Sequence, residues 1–190
     1  NINAFYDWQM IREAALPMIL LMILIRLIWK QGDNLFLTAL FLFINGILVF
    51  LPERMVQGNK DARLMSKFDS FLIGASGAIS VFSGISRLGC TYGVSLMRGA
   101  GKKHAYLWAL ILSAWALPVM ILFDFIGMFS ANVNFWGSFF TYILSGITAY
   151  LGSCLGISAM RLLIRSSYNG FAYYCWGASL FSFVIYLTVG

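Results

Sequence analysis

The sequence predicts an all-α polytopic membrane protein with about five transmembrane helices and one re-entrant helical hairpin. Its 190 residues are 61% hydrophobic and 11% charged, with a mean hydropathy of +0.82, whereas soluble domains carry about 25% charged residues. The apolar residues form separate runs of a length that suits bilayer-crossing helices. One run is unusual because it is rich in glycine and serine and contains an arginine.

These runs divide a single membrane domain, residues 1–190, into segments. Residues 1–13 are amphipathic and predict an interfacial segment. The predicted spans are 14–29, 35–52, 105–123, 136–160 and 170–189. The first is short for a span of about 20 residues, and Arg26 near its end is interpreted as reaching toward the lipid headgroups.

The loop charges predict an orientation. The connection 53–69 holds four basic residues, and Arg98, Lys102 and Lys103 lie between two later apolar runs. Basic loops face the cytoplasm in most membrane proteins, whereas residues 124–135 have no basic residue and are predicted to lie outside. The net charge of +6 is therefore assigned to cytoplasmic loops, and binding of nucleic acid is not predicted.

Residues 70–97 predict the re-entrant hairpin. The first arm is rich in glycine and serine, and the return arm has only about ten uncharged residues, too few to cross a bilayer of about 30 Å. Both ends of the segment are basic, which is typical of a hairpin that enters and leaves on one side. Irregular backbone at this depth must be buried in protein or line a cavity.

An anion site is predicted at the turn of this hairpin. Arg87 has at least ten uncharged residues on each side, and an arginine at membrane depth is a functional-site hypothesis by default. Ser86, Thr91 and nearby glycines surround it in the sequence. A helix beginning near Thr91 would direct its N–H groups and positive dipole end at the turn, and phosphate is the commonest anion for such a site. The alternative is an arginine at a helix end that reaches toward the headgroups.

The other polar residues have simpler interpretations. His104 is interpreted as an interfacial residue, with a catalytic base as the alternative. Asp124 is interpreted as an interface carboxylate, with a metal ligand as the alternative. The three cysteines, Cys90, Cys154 and Cys175, are interpreted as small packing residues. No Walker, C-x-x-C, H-E-x-x-H or G-x-S-x-G motif occurs, which argues against nucleotide triphosphatases, metal clusters and α/β-hydrolases, and no metal ligands are identified.

The segment Ser83–Thr91, which reads S-G-I-S-R-L-G-C-T, resembles the second signature of the bacterial undecaprenyl-diphosphate phosphatases linked to bacitracin resistance, usually P-G-x-S-R-S-G-x-T. Weaker similarity extends over most of the chain. It includes residues 16–54, residues 99–124 with Leu117-Pro118, residues 145–151, Arg161 and residues 171–174.

Two departures from the family accompany this resemblance. Ser83 and Leu88 replace the usual proline and second serine of the signature. The family's first signature, a glutamate-rich helix followed by a P-I-S-S-x-G-H loop, is absent from these residues. In the family it supplies catalytic carboxylates and a histidine, and it packs as an inverted repeat against the second signature. The chain is therefore expected to be a fragment or a shortened homologue that carries part of an inverted-repeat fold.

The resemblance implies a hydrolase of the bacterial cytoplasmic membrane that removes the terminal phosphate of undecaprenyl diphosphate and so recycles the carrier lipid for peptidoglycan. It implies that Arg87 clamps the diphosphate and that Ser86 contacts it or acts as nucleophile. Ser83, Gly84, Gly89 and Thr91 would bind phosphate, with Thr91 capping the helix as an alternative. Mg²⁺ or Ca²⁺ is the implied cofactor.

Two other functions remain open at this stage. A carrier-lipid flippase or a phosphate or anion transporter could use the same turn to bind phosphate without cleaving it, because broken helices with inverted repeats also build transporters. A helix bundle without catalytic activity is the other alternative. The expected partners are a polyprenyl diphosphate and the bilayer, and a homo-oligomer is compatible with the sequence.

Overall fold

The computed structural model describes residues 2–29, 34–55, 58–130, 139–166 and 169–189. These residues form seven α-helices, which are α1 Ile2–Ile28, α2 Leu35–Arg54, α3 Lys67–Ala78, α4 Arg87–Met97, α5 Lys102–Ser130, α6 Phe139–Ser166 and α7 Asn169–Val189. Two 3₁₀ turns cover Ala62–Leu64 and Ile79–Val81. No β-strand forms within these ranges, so the predicted all-α class is confirmed.

Four helices in the described part of the chain are long and apolar enough to cross a membrane. They are α2, α5, α6 and α7, and their outward faces carry exposed leucine and phenylalanine side chains. Such faces suit contact with lipid, and the chain is a multi-pass membrane protein. The helix α1 is not among the four. It joins the predicted interfacial segment and first span into one helix of 27 residues, and its crossing of the membrane stays a prediction.

Two helices extend beyond the predicted spans. Helix α5 continues past the predicted span end at residue 123 to Ser130, because the single aspartate Asp124 among apolar residues does not end a helix. The helix α6 continues to Ser166, past the predicted end at residue 160, since arginine and leucine favour helix. Residues 30–33, between the first two predicted spans, lie outside the described residues, as does the predicted start of a span at residue 136.

The segment 70–97 forms a helical hairpin. Its arms α3 and α4 contain 12 and 11 residues, about 18 and 16 Å at 1.5 Å per residue, so neither could cross a bilayer core of about 30 Å. The guanidinium of Arg98, at the end of α4, binds the carboxylate of Asp69 in the first turn of α3. Both ends of the hairpin therefore lie together, as a re-entrant segment requires. Its depth in a membrane stays a prediction.

By its contacts the chain divides into two compact units, Asn1–Val119 with Tyr168–Gly190, and Met120–Ser167. In the first, α2 packs against both α4 and α7, while α1 packs against α3 and α3 against α4. Gly74 of α3 lies so close to α1 that an added Cβ would overlap the carbonyl oxygen of Ala14. The large buried side chains include Met18, Met22, Val49, Ile73, Tyr92, Trp108 and Leu112. This packing holds the hairpin between α1 and α2.

The second unit contains the end of α5 and the helix α6. Every side chain of α6 from residue 139 to residue 158 is exposed within the chain, and Gly146, Gly152 and Gly156 have open space beside them. A helix that is apolar on all sides is stable when lipid or protein covers it.

Candidate active site

The hairpin reverses direction at residues 82–86, between the second 3₁₀ turn and α4. The N–H of Ile85 donates to the carbonyl oxygen of Phe82 at 3.2 Å, which closes a turn around Gly84. Gly84 has a φ of +97°, a conformation that glycine adopts without steric cost. An added Cβ would lie 2.7 Å from the carbonyl oxygen of Thr38 on α2. The glycine thus lets the turn bend and pack directly on the α2 backbone.

The helix α4 begins at Arg87, and the predicted start near Thr91 was wrong. Ser86 is the N-cap, with its Oγ accepting from the N–H of Gly89 at 3.1 Å and its carbonyl oxygen accepting from the N–H of Cys90 at 2.9 Å. A serine with extended backbone at the N-cap stabilises the start of a helix, because its hydroxyl oxygen accepts from a backbone N–H of the first turn. The positive end of the α4 dipole therefore lies at Arg87 itself.

Arg87 is half-buried at the first position of α4. Its Nε donates to Oγ of Ser80 at 2.9 Å, and that hydroxyl donates to the carbonyl oxygen of Gly77 at 2.6 Å. The side chain thus crosses from α4 to the 3₁₀ turn of the opposite arm. A guanidinium carries its nitrogens in a planar fork, a geometry that binds phosphate oxygens well.

The predicted phosphate-binding residues fall into two groups. Ser83 is exposed and lies with Gly84 and Ser86 in the turn beside Arg87. Thr91 is fully buried, and its hydroxyl donates to the carbonyl oxygen of Arg87 at 2.8 Å. Gly89 is also buried, and its place is explained by packing, since an added Cβ would lie 3.1 Å from Cγ2 of Val49. Contact of any of them with phosphate stays a prediction.

The structure adds one residue that the sequence analysis missed. Asn45 lies in the middle of α2 and is 1% exposed. Its Oδ1 accepts from the backbone N–H of Ser86 at 3.0 Å, and its Nδ2 donates to Sγ of Cys175 on α7 at 3.2 Å. The sequence did contain a signal, because Asn45 is an amide side chain in the middle of the apolar span 35–52. A polar side chain at such a position is costly unless it has a hydrogen-bond partner.

A second polar cluster lies at the other end of the hairpin. There a cavity of about 160 Å³ is lined by Tyr6, Asp7, Asp61, Ala62, Arg63 and His104. His104 Nδ1 is 3.5 Å from Oδ1 of Asp61. His104 follows the C-terminal end of α4, whereas Arg87 begins that helix, and α4 is about 16 Å long. The cluster is therefore separate from the turn, and the interfacial role of His104 stays a prediction.

A divalent cation at this turn would need oxygen ligands among the described residues. Mg²⁺ and Ca²⁺ require several oxygen ligands, commonly from carboxylates. Across the described ranges, no group of three or more histidine, cysteine or acidic side chains is placed to hold a metal ion. The residues around Arg87 supply hydroxyls and a cation, which do not form such a ligand set. These residues therefore do not fit the metal, and no step below depends on one.

The fold and the turn define a class: a multi-pass helical membrane protein with an arginine and a helix N-terminus suited to an anion. A family model described as "Bacitracin resistance protein BacA" matches residues 3–181. The chain belongs to this family, as the signature predicted.

Curated relatives agree with this membership. An undecaprenyl-diphosphatase from Prochlorococcus marinus is 33% identical over 151 residues, which cover 80% of this chain and 55% of the relative. One from Methanococcus vannielii is 31% identical over 77% of this chain and 56% of the relative. Undecaprenyl-diphosphatase 3 from Bacillus cereus is 26% identical over 76% of this chain and 56% of the relative. The chain spans about half the length of the curated relatives it matches.

Proposed function

We propose that the protein acts as an undecaprenyl-diphosphate phosphatase, in which this chain provides the phosphate-binding turn. The observation that carries the proposal is the position of Arg87, the first residue of α4, held by Ser80 directly after a glycine turn. The names of the matched relatives favour hydrolysis over the flippase or anion-transporter alternative, which no observation on the described residues supports.

The reaction transfers the terminal phosphoryl group of the lipid diphosphate to water. The bond from the terminal phosphorus to the bridging oxygen breaks, and a bond from that phosphorus to the oxygen of water forms. The products are inorganic phosphate and undecaprenyl phosphate. Charge moves onto the bridging oxygen as its bond breaks, so positive groups near that oxygen stabilise the transition state.

Arg87 and the start of α4 supply that positive charge. The guanidinium would bind two phosphate oxygens through its terminal nitrogens, and the N–H of Leu88 lies in the first helical turn, where no intrahelical acceptor is available. Both act in an environment of low polarity, in which a charge interaction is stronger than in water. The turn is therefore proposed to hold the diphosphate and to stabilise the leaving group.

Ser86 is proposed as a phosphate contact. Its Oγ accepts from Gly89 N–H, so its own hydroxyl hydrogen remains available to donate to a phosphate oxygen. Attack by Ser86 would require a general base, and residues 82–91 contain no histidine or carboxylate. The acid–base groups are expected outside residues 82–91. We also propose that the protein lies in a bacterial cytoplasmic membrane. A homo-oligomer is compatible with this proposal.

The test is phosphate release from undecaprenyl diphosphate, or from farnesyl diphosphate, by the purified protein in detergent with Mg²⁺ added. Arg87→Ala is compared with Arg12→Ala, a substitution at an exposed position of α1. Release that is abolished in Arg87→Ala and kept in Arg12→Ala would support the proposal. A folded wild-type protein that releases no phosphate, or an Arg87→Ala variant as active as wild type, would overturn it.

A further inference from the structure

We propose that Asn45 is a positioning residue for Arg87: it fixes the start of α4 from the neighbouring helix α2 and so determines where the guanidinium meets phosphate. This inference rests on the proposed function, because the site that Asn45 would position is the diphosphate site. It assigns a role in the site to a residue of α2, outside the signature segment.

Asn45 joins three helices through one buried amide. Its Oδ1 accepts from Ser86 N–H at 3.0 Å and lies 3.8 Å from Sγ of Cys90, and its Nδ2 donates to Sγ of Cys175 at 3.2 Å. Asn45, Cys90 and Cys175 are each 1% exposed. The orientation of the amide is dictated by Ser86, whose backbone N–H can only donate and so requires the oxygen of Asn45.

The contact lies one peptide bond from the proposed phosphate ligand. Ser86 is the N-cap, so its N–H points away from α4 and has no acceptor within that helix. Asn45 satisfies this N–H across the interface, while Gly84 sets the turn against Thr38 of the same helix. Two points on α2 therefore define the turn from which Arg87 projects.

Loss of the amide would leave the Ser86 N–H without its acceptor in a region with little water. The turn would then move to find another partner, and the position of the Arg87 guanidinium would move with it. A misplacement of about 1 Å of a group that acts on the reacting atoms lowers a rate by about 100-fold. We expect Asn45→Leu, which keeps the approximate volume, to lower kcat by about 10- to 100-fold with a smaller change in KM.

Ser179→Ala is the matched control. Ser179 on α7 is also buried, and its Oγ donates to the carbonyl oxygen of Ala39 on α2 at 2.7 Å. The Ser179→Ala substitution therefore removes a buried hydrogen bond between α2 and α7. Unlike the bond from Ser86 to Asn45, this hydrogen bond does not involve the turn. We expect Ser179→Ala to keep kcat within about twofold of wild type, since no reacting group is displaced.

Asn45→Asp gives a readout that a purely structural role would not change. A neutral carboxyl reproduces the acceptor for Ser86 N–H and a donor toward Cys175, whereas the ionised form loses the donor and places a negative charge near the proposed anion site. The titratable groups in contact with Asn45 are Cys90 and Cys175, and Arg87 follows Ser86, whose N–H donates to Asn45. We expect activity relative to wild type to recover as pH falls and to decline as pH rises, with no such trend in Ser179→Ala.

The measurements are kcat, KM and their pH profiles in detergent, with thermal unfolding to confirm that each variant is folded. Equal kcat in Asn45→Leu and wild type, or equal losses in Asn45→Leu and Ser179→Ala, would overturn the inference.

If Asn45→Leu does not fold, the pH profile of Asn45→Asp decides. If wild type releases no phosphate, the proposed function fails, and calorimetric binding of farnesyl diphosphate decides. Weaker binding by Asn45→Leu than by wild type and Ser179→Ala supports positioning, and unchanged binding overturns it.

Discussion

Arg98 and Asp69 are 29 residues apart in the sequence, yet their ion pair joins the two ends of the hairpin. Asp69 is buried and also accepts from the backbone N–H of Ser66 at 3.0 Å, while its own N–H donates to Oγ of Ser66 at 3.1 Å. It therefore caps α3 and, with the same carboxylate, binds Arg98, the residue that follows the return arm α4. The positive charge of Arg98, which the sequence analysis assigned to a cytoplasmic loop, forms this ion pair and so holds the two ends of the hairpin together.

We predict that Asp69→Ala destabilises the protein by about 2–3 kcal/mol. Loss of the cap contributes about 1 kcal/mol. Breaking a buried pair costs about 3–5 kcal/mol, a value reduced here because the Arg98 side chain is 39% exposed. The measurement is thermal unfolding in detergent. Asp61→Ala is the control, since that side chain is 64% exposed and exposed pairs contribute about 0–1 kcal/mol. Equal effects of the two substitutions would contradict the assignment.

The stabilisation by Asp69 depends on pH in a defined direction. Burial raises the pKa of Asp69, but hydrogen bonds from Ser66 and Arg98 lower it by more, so its pKa lies below the ordinary value of 3.8. A depressed pKa in the folded state gives stability that is fully present above the unfolded-state pKa and is lost as pH falls through the folded value. We expect the difference in Tm between wild type and Asp69→Ala to be constant from about pH 5 to 8 and to shrink below about pH 4. A difference that persists unchanged to about pH 2 would exclude the carboxylate as its source.

Gly84→Ala is predicted to destabilise the hairpin turn. A residue with a side chain at a positive φ costs about 1–3 kcal/mol, and the added Cβ would also press against the Thr38 carbonyl oxygen. We expect a clear drop in Tm together with loss of phosphate release.

Gly146→Ala is the comparison for that variant. This glycine lies inside α6 with nothing within 4 Å of an added Cβ, and alanine favours helix by up to about 1 kcal/mol over glycine. We expect its Tm to be unchanged or slightly raised. A Gly84→Ala variant as stable as Gly146→Ala would show that the turn does not require its left-handed conformation.

Arg87→Lys tests whether the shape of the cation matters as well as its charge. Lysine keeps the positive charge but loses Nε, which donates to Ser80, and loses the fork that binds two oxygens at once. We expect kcat for phosphate release to fall by about 100-fold, the usual effect of removing one stabilising donor. Arg12→Lys should retain wild-type rates. Full activity in Arg87→Lys would mean that charge alone suffices.

Much of the hairpin could be predicted from the sequence. The glycines, the serines and Arg87 within an apolar run indicated a turn with a functional cation, and the short return arm indicated a hairpin. Helix α4 begins four residues before the predicted start near Thr91 because Oγ of Ser86 caps it by accepting from the N–H of Gly89. The burial of Gly89 and Thr91 could not be read from the sequence, and their contact with phosphate stays a prediction.

Composition and periodicity determined by themselves that this chain is helical and enters a membrane, because the cost of exposing backbone polar groups to lipid leaves little choice of local structure. They also identified Arg87 as a candidate functional residue, since a charged residue inside an apolar run is costly in a membrane. Only the tertiary structure decided that Asn45 anchors Ser86 and that Asp69 binds Arg98. These pairs join residues 41 and 29 positions apart, and which polar groups meet depends on how whole helices pack, information that local sequence does not carry.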